Sequence, residues 1–163
     1  MLCDEQQKVG VEAPLQVHTT PDGVACAHGL ASSTLRDMAR FGMLYTPSWN
    51  KVSKERVVTP EILDTIFEEQ RPHDFLMKGF DGQVFKLYHG REDFMGNSHQ
   101  WDCVWPDGDM WKGGLQSQGL YVSPKKDLVI GYFSVNNDDH TIHRFGRAIA
   151  DSGLFDESHQ IEQ

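Results

Sequence analysis

The spacing of apolar residues changes partway along the chain. Leu35, Met38, Ala39, Gly42 and Tyr45 recur at helical spacing, with Arg36 and Arg40 turned away. Thr34 and Asp37, at the front of this run, have the spacing of a capping box, with Asp in place of the usual Glu. Thr46-Pro47 ends the run. A second helix opens at "TPEILDTIFEEQ". Thr59 is a suitable N-cap, and Pro60 sits in the first turn, where its missing N–H costs nothing. Glu61 suits the positive end of the helix dipole. The predicted buried stripe is Ile62, Leu63, Ile66 and Phe67, and Pro72 stops the helix.

From residue 83 the period shortens to two. "QVFKLYH" predicts a first strand. "HQWDCVW" predicts a half-buried one, in which Trp101, Cys103 and Trp105 alternate with Gln100, Asp102 and Val104. "PDGD" turns the chain, and "MWKGGL" and "QGLYV" continue as strand with glycines in the middle. "SPKKD" turns again, with Pro124 suited to the second turn position. "LVIGYFSV" is apolar on both faces, which predicts a strand inside a sheet covered on both sides. In "HTIHRFGRAIADSGLF", Ile142, Phe145 and Ile149 share a helical face, and Gly153 closes the helix in a left-handed conformation. Two helices, an antiparallel meander of about three to four strands and a last helix make an α+β fold. Residues 1–28 read as an irregular connecting segment, 29–155 as the folded domain and 156–163 as a polar tail.

Composition narrows the function classes. The chain has 163 residues, enough for one domain with a real core. A net charge of −9 argues against nucleic acid and against an anionic membrane surface. No apolar run approaches the ~20 residues needed to span a bilayer. The opening "MLCDEQQKVG" has neither the basic nor the apolar region of a signal peptide. Cys3, Cys26 and Cys103 form neither a disulfide framework nor a zinc knuckle and read as buried thiols.

Candidate chemistry gathers around Lys112-Gly113-Gly114. Glycine weakens a strand unless something must approach its backbone closely. An N–H exposed there would donate to a developing oxyanion, with Lys112 holding a carboxylate or tuning a nucleophile. The alternative is a bulge that bends the sheet beside a solvated lysine. Trp111 stands next to Lys112, where it packs in the core with Trp101 and Trp105 or lines a pocket wall. Ser117 in "GLQSQG" misses the nucleophile elbow, because Leu115 occupies the first glycine's place. Ser-x-x-Lys occurs at Ser48–Lys51 and at Ser123–Lys126, but neither begins a predicted helix. His140 and His143, near Asp138 and Asp139, read as capping and solvated residues, not as metal ligands.

Several separated segments resemble one family. "HGLASSTLRDMARFGMLY" resembles the "GGL-x-STARDLARFG" segment of serine β-lactamase-like hydrolases. These include class C β-lactamases, D-alanyl-D-alanine carboxypeptidases, related esterases and 6-aminohexanoate-dimer hydrolases. "RVVTPEIL" is similar to the helix opening that follows, and "KGGLQSQGLYVSPKKDLVIGYFS" to the third motif strand and its hairpin. "RFGRAIADSGLF" fits the C-terminal helix, so the likeness spans roughly residues 24–155. The resemblance implies that Lys112, Gly113 and Gly114 occupy the third motif, with Leu115 supplying an oxyanion N–H and Trp111 alongside. Gly113 departs from the usual threonine, which leans away from β-lactams toward an ester or amide substrate. The family's Ser-x-x-Lys nucleophile and Tyr-x-Asn motifs would precede this region, and nothing in residues 1–28 matches them. The chain therefore reads as the C-terminal portion of such an enzyme, with no catalytic residue of its own and no cofactor. A binding or oligomerisation module derived from the same fold is the alternative. The resemblance further implies a periplasmic or secreted location, and self-association through apolar surface that the missing half would cover.

Overall fold

The computed structural model describes residues 8–26, 31–72, 96–135 and 142–155. A two-stranded sheet pairs β1 (Gln16–Val17) with β2 (Ala31–Ser32). Helix α1 (Leu35–Met43), a 3₁₀ helix (Pro47–Lys51) and helix α2 (Pro60–Glu68) follow. Then comes an antiparallel sheet of six strands in chain order: β3 (Arg71–Pro72), β4 (Gly96–Ser98), β5 (Trp101–Val104), β6 (Met110–Gly114), β7 (Gln118–Ser123) and β8 (Leu128–Tyr132). Helix α3 (Ile142–Ala150) is the last element among the described residues. The α+β class is as expected, and the meander has more strands than the three or four predicted. Strands β3 and β4 are two and three residues long, too short to show a period. The predicted strand "QVFKLYH" lies outside the described residues.

The sheet is the middle of three layers. Leu120 and Val122 of β7 face α1 and α2, in a cluster with Ile66, Trp101, Val104 and Met110. Tyr121, between them, faces the other way with Cys103, Trp105, Trp111 and Ala150 of α3. Helix α1 comes close because Gly42 meets the sheet. A Cβ there would lie 2.6 Å from Val129 and 3.0 Å from Leu120.

Three expectations about faces need correction. Strand β5 is buried on both sides: Val104 is covered as fully as Cys103, and Trp101 packs in the opposite cluster from Cys103. On α2, Leu63 and Ile66 turn inward, whereas Ile62 and Phe67 are exposed. On α3, Phe145 and Ile149 are exposed, and Gly146, Arg147 and Ala150 turn to the sheet. Strand β8, expected inside the sheet, is the last strand of the sheet among the described residues, and each of its five residues is half-buried. The turn expectations hold, with Gly108 at φ +92 in "PDGD" and Gly153 at φ +77 after α3.

Aspartates fasten the layers. Asp37 is buried, and its carboxylate accepts from the Glu12 N–H (2.7 Å), the Ala13 N–H (3.2 Å) and the Thr34 hydroxyl (2.9 Å). Thr34 in turn accepts from the Asp37 N–H, which is the N-cap half of the predicted capping box, while the Asp37 carboxylate takes the Thr34 hydroxyl and the Glu12 and Ala13 N–H groups. Arg40 donates to the Gly10 carbonyl and Arg36 to Glu12, each at 2.6 Å. These arginines, expected to point away, hold residues 10–13 against α1. Asp127 accepts from the Ser48 N–H (3.0 Å) and hydroxyl (2.6 Å), joining the β7–β8 turn to the 3₁₀ helix. Arg147 of α3 reaches Asp107 (2.6 Å), Asp109 (3.3 Å) and Asp151 (3.0 Å) and lies over the Trp105 ring. Buried Asp109 also accepts from the Tyr121 hydroxyl.

These carboxylates set the acid response. The Glu12 N–H holds Asp37 below the usual carboxylate range. Burial works against Asp107 and Asp127, but Arg147 and the Ser48 hydroxyl, respectively, hold them low as well. Their contributions are present above the ordinary carboxylate value of about 4 and are lost as pH falls through the depressed folded values. Burial pushes Asp109 up, so its contribution has the opposite sign and grows as pH falls. Hydrogen bonds from Thr20 and Thr59 hold Asp22 and Glu61 low as well, so five groups stand against one, and the urea midpoint should fall as the pH drops below about 4. A flat or rising midpoint over that range would contradict the assignment.

Candidate functional site on strand β6

Register sets the site. From the turn at Pro106–Asp109, β5 and β6 pair Val104 with Met110 and Cys103 with Trp111. One further step sets Asp102 opposite Lys112. Lys112 Nζ lies 2.7 Å from Asp102 Oδ1. The Gly113 N–H donates to Asp102 Oδ2 at 2.8 Å. The carboxylate thus takes the place that a β5 backbone carbonyl would have had if the ladder continued. The N–H expected to face a developing oxyanion is bonded to the chain's own side chain. The pair lies near the surface, with the Lys112 side chain 43% exposed and that of Asp102 23% exposed.

The glycines have a separate reason. Gly113 and Gly119 are cross-strand partners, and the Trp111 indole packs against Gly113 and reaches Gly119. A Cβ on Gly113 would come within 2.2 Å of the Trp111 ring. One on Gly119 would lie 2.2 Å from the Tyr132 hydroxyl and 2.9 Å from Trp111 Nε1. Trp111 Nε1–H donates to that hydroxyl at 2.8 Å, closing the arrangement. Burial pushes the Tyr132 hydroxyl up to about 12, against the pull of the Trp111 donor. The close approach inferred from the glycines is therefore made by Trp111, which is buried in the core.

Beyond Gly114, which is exposed, the backbone enters a tight turn over Leu115–Ser117. Gln116 and Ser117 both take left-handed φ, 60° and 63°, a costly conformation for residues with a Cβ. Ser117 is buried within that turn. Ser48 and Lys51 do lie in one helix, because Pro47 opens the 3₁₀ turn instead of ending structure. The Ser48 hydroxyl is bonded to Asp127, not to Lys51. Ser123 ends β7, and Lys126 bonds the Ala150 carbonyl at the end of α3 (2.5 Å). Cys103 is buried, which pushes its thiol well up, and Cys26 is half-buried and free. Cys3, Asp138, Asp139 and His140 lie outside the described residues, as does the side chain of His143.

Cavities among the described residues lie elsewhere. One, about 300 Å³, lies between α2 and the two hairpin turns, lined by Leu63, Ile66, Phe67, Val104 and Met110 among others. Another, about 680 Å³, is polar and lies at the β4–β5 turn beside Glu69, Arg71 and His99. Residues 111–115 line neither. Among the described residues no helix is long and apolar enough to cross a membrane. Comparison with protein families, with curated proteins and with solved structures found no match.

Asp102 was missed from sequence, although its position was available. Counting back through the "PDGD" turn puts the one acidic residue of β5 opposite Lys112. The two features of β6 separate on substitution. Gly119→Val forces branched carbon into the Trp111–Tyr132 contact and should cost about 3 kcal/mol in urea unfolding. Lys112→Ala removes a half-exposed ion pair and should cost roughly 1 kcal/mol or less. The reverse order would mean that the lysine, not the indole, organises this strand.

Proposed function

We propose that Lys112 to Gly114 of β6, with Leu115 in the turn that follows, are the substrate-side wall of a β-lactamase-like serine hydrolase acting on an ester, amide or β-lactam carbonyl, and that Trp111 supports this wall from the opposite face of the sheet. The observation that carries this reading is the convergence of a lysine ammonium and a strand N–H on one carboxylate at the open end of β6. Attack on a carbonyl moves negative charge onto its oxygen, and a fixed backbone donor with a nearby cation stabilises that charge. The order of segments along the chain, from "STLRDMARFG" to "KGGL" and "SPKKDLV", supports the same reading. In this proposal the attacking serine and its base lie on polypeptide outside these 163 residues, so the chain alone turns nothing over.

The test supplies the missing part. Fused behind a segment carrying Ser-x-x-Lys and Tyr-x-Asn from such a hydrolase, the chain should hydrolyse p-nitrophenyl esters. Lys112→Ala in the fusion should lower kcat/KM at least tenfold, corresponding to about 1.4 kcal/mol of transition-state stabilisation. Turnover by the unfused chain that survives Lys112→Ala would sink the proposal.

One observation favours a second reading, an oligomerisation module. Strand β8 is apolar on both faces and is the edge of the sheet among the described residues, and Phe133 and Val135 beyond it are exposed. An edge of this kind is a template for another strand. Light scattering should then show a mass that rises with concentration. A constant monomer mass from micromolar to millimolar protein would remove this reading.

A further inference from the structure

We propose that Asp102 is a built-in occupant of an anion subsite formed by Lys112 Nζ and the Gly113 N–H, so that the site takes uncharged carbonyl compounds and turns away carboxylates. The inference rests on the reading of β6 as a substrate wall and names the substrate class that this wall admits.

The geometry is that of carboxylate recognition. Each oxygen of Asp102 has its own donor, Oδ1 from the ammonium at 2.7 Å and Oδ2 from the strand N–H at 2.8 Å. An ammonium and a backbone N–H side by side would hold an external carboxylate in the same way. Asp102 has the advantage of attachment. Its strand is hydrogen-bonded to β6 one residue away, at Cys103 and Trp111. An intramolecular group of this kind competes at an effective concentration of millimolar or more, without the translational cost that a free ligand bears. A carboxylate arriving from solvent must displace it and leave Asp102 unpaired beside its own charge. An ester or amide carbonyl brings no net charge and only needs to share the Gly113 donor. The partial exposure of both side chains leaves room for that approach.

Two variants separate the roles. Asp102→Ala empties the subsite, and Asp102→Asn keeps the volume and one acceptor while removing the charge. The probe is benzoate, titrated into the ¹⁵N-labelled chain with the Gly113 amide resonance as readout. Asp102→Ala should show a saturable Gly113 shift with half-saturation at least tenfold below that of the native chain. Asp102→Asn should also bind benzoate more tightly than the native chain, and Asp102→Ala combined with Lys112→Ala should lose the response. A native chain that binds benzoate at Gly113 as well as either variant overturns the proposal. So does a folded Asp102→Asn chain with no Gly113 response. The titration needs no turnover. If benzoate binds as described while the fusion stays inactive, the hydrolase reading falls and the anion subsite stands.

Discussion

The packing of the Trp111 indole against the backbone of two adjacent strands shapes the centre of this molecule. An indole on a sheet normally stands on neighbouring side chains. Here Gly113 and its cross-strand partner Gly119 have none, so the ring descends onto the backbone itself. Its N–H finds the Tyr132 hydroxyl of the next strand, so a polar atom carried deep into the layer is not left unpaired. One residue therefore ties β6, β7 and β8 together on the α3 side of the sheet. It also determines what stands on the other side. Because side chains alternate along a strand, burying Trp111 on one face sends Lys112 to the other. There the register with β5 presents Asp102.

The acidic balance of the chain is partly a balance of fasteners. Asp37 holds the segment before α1, Asp127 holds the 3₁₀ helix to the β7–β8 turn, and Asp107 and Asp109 hold Arg147 of α3. Each carboxylate spans elements far apart in sequence and accepts more than one hydrogen bond. The donors to Asp37, Asp107 and Asp127 outweigh the cost of their burial, whereas those to Asp109 do not. Residues that look like carriers of chemistry, such as Ser48 ahead of Lys51, prove to be partners in these ties.

How legible the fold was depended on what each pattern reports. Local rules worked. Thr34 caps α1, Thr59 and Pro60 open α2, and Gly108 and Gly153 take the left-handed conformations their turns require. Non-local facts were hidden. The apolarity of β8 on both faces reports that both faces are covered, as they are by α1 and by the Trp111–Tyr121 cluster. It is silent on which edge has a neighbour, because edges are a matter of backbone hydrogen bonds. The face of α3 was misread for an energetic reason. An apolar stripe of Phe145 and Ile149 competes with Arg147, which has two carboxylates, Asp107 and Asp109, and the Trp105 indole waiting at the β5–β6 turn. Small Gly146 and Ala150 beside it let the helix approach. The ionic contacts win, and the stripe turns outward.

The same distinction applies to the site. Glycines in mid-strand signalled that something approaches the backbone, and that inference was sound in kind. The approaching group was on the same strand, two residues back, in a place that spacing alone cannot separate from a ligand's. The lysine was a sounder signal than the glycines, because a cation beside a half-covered sheet position pairs readily with an anion from the facing strand. Where the chain provides that anion from the facing strand, the cation is not free to recruit a charged ligand, and the neighbouring N–H is shared on the same terms. Selectivity at such a site is governed less by what Lys112 attracts than by what must be displaced from it.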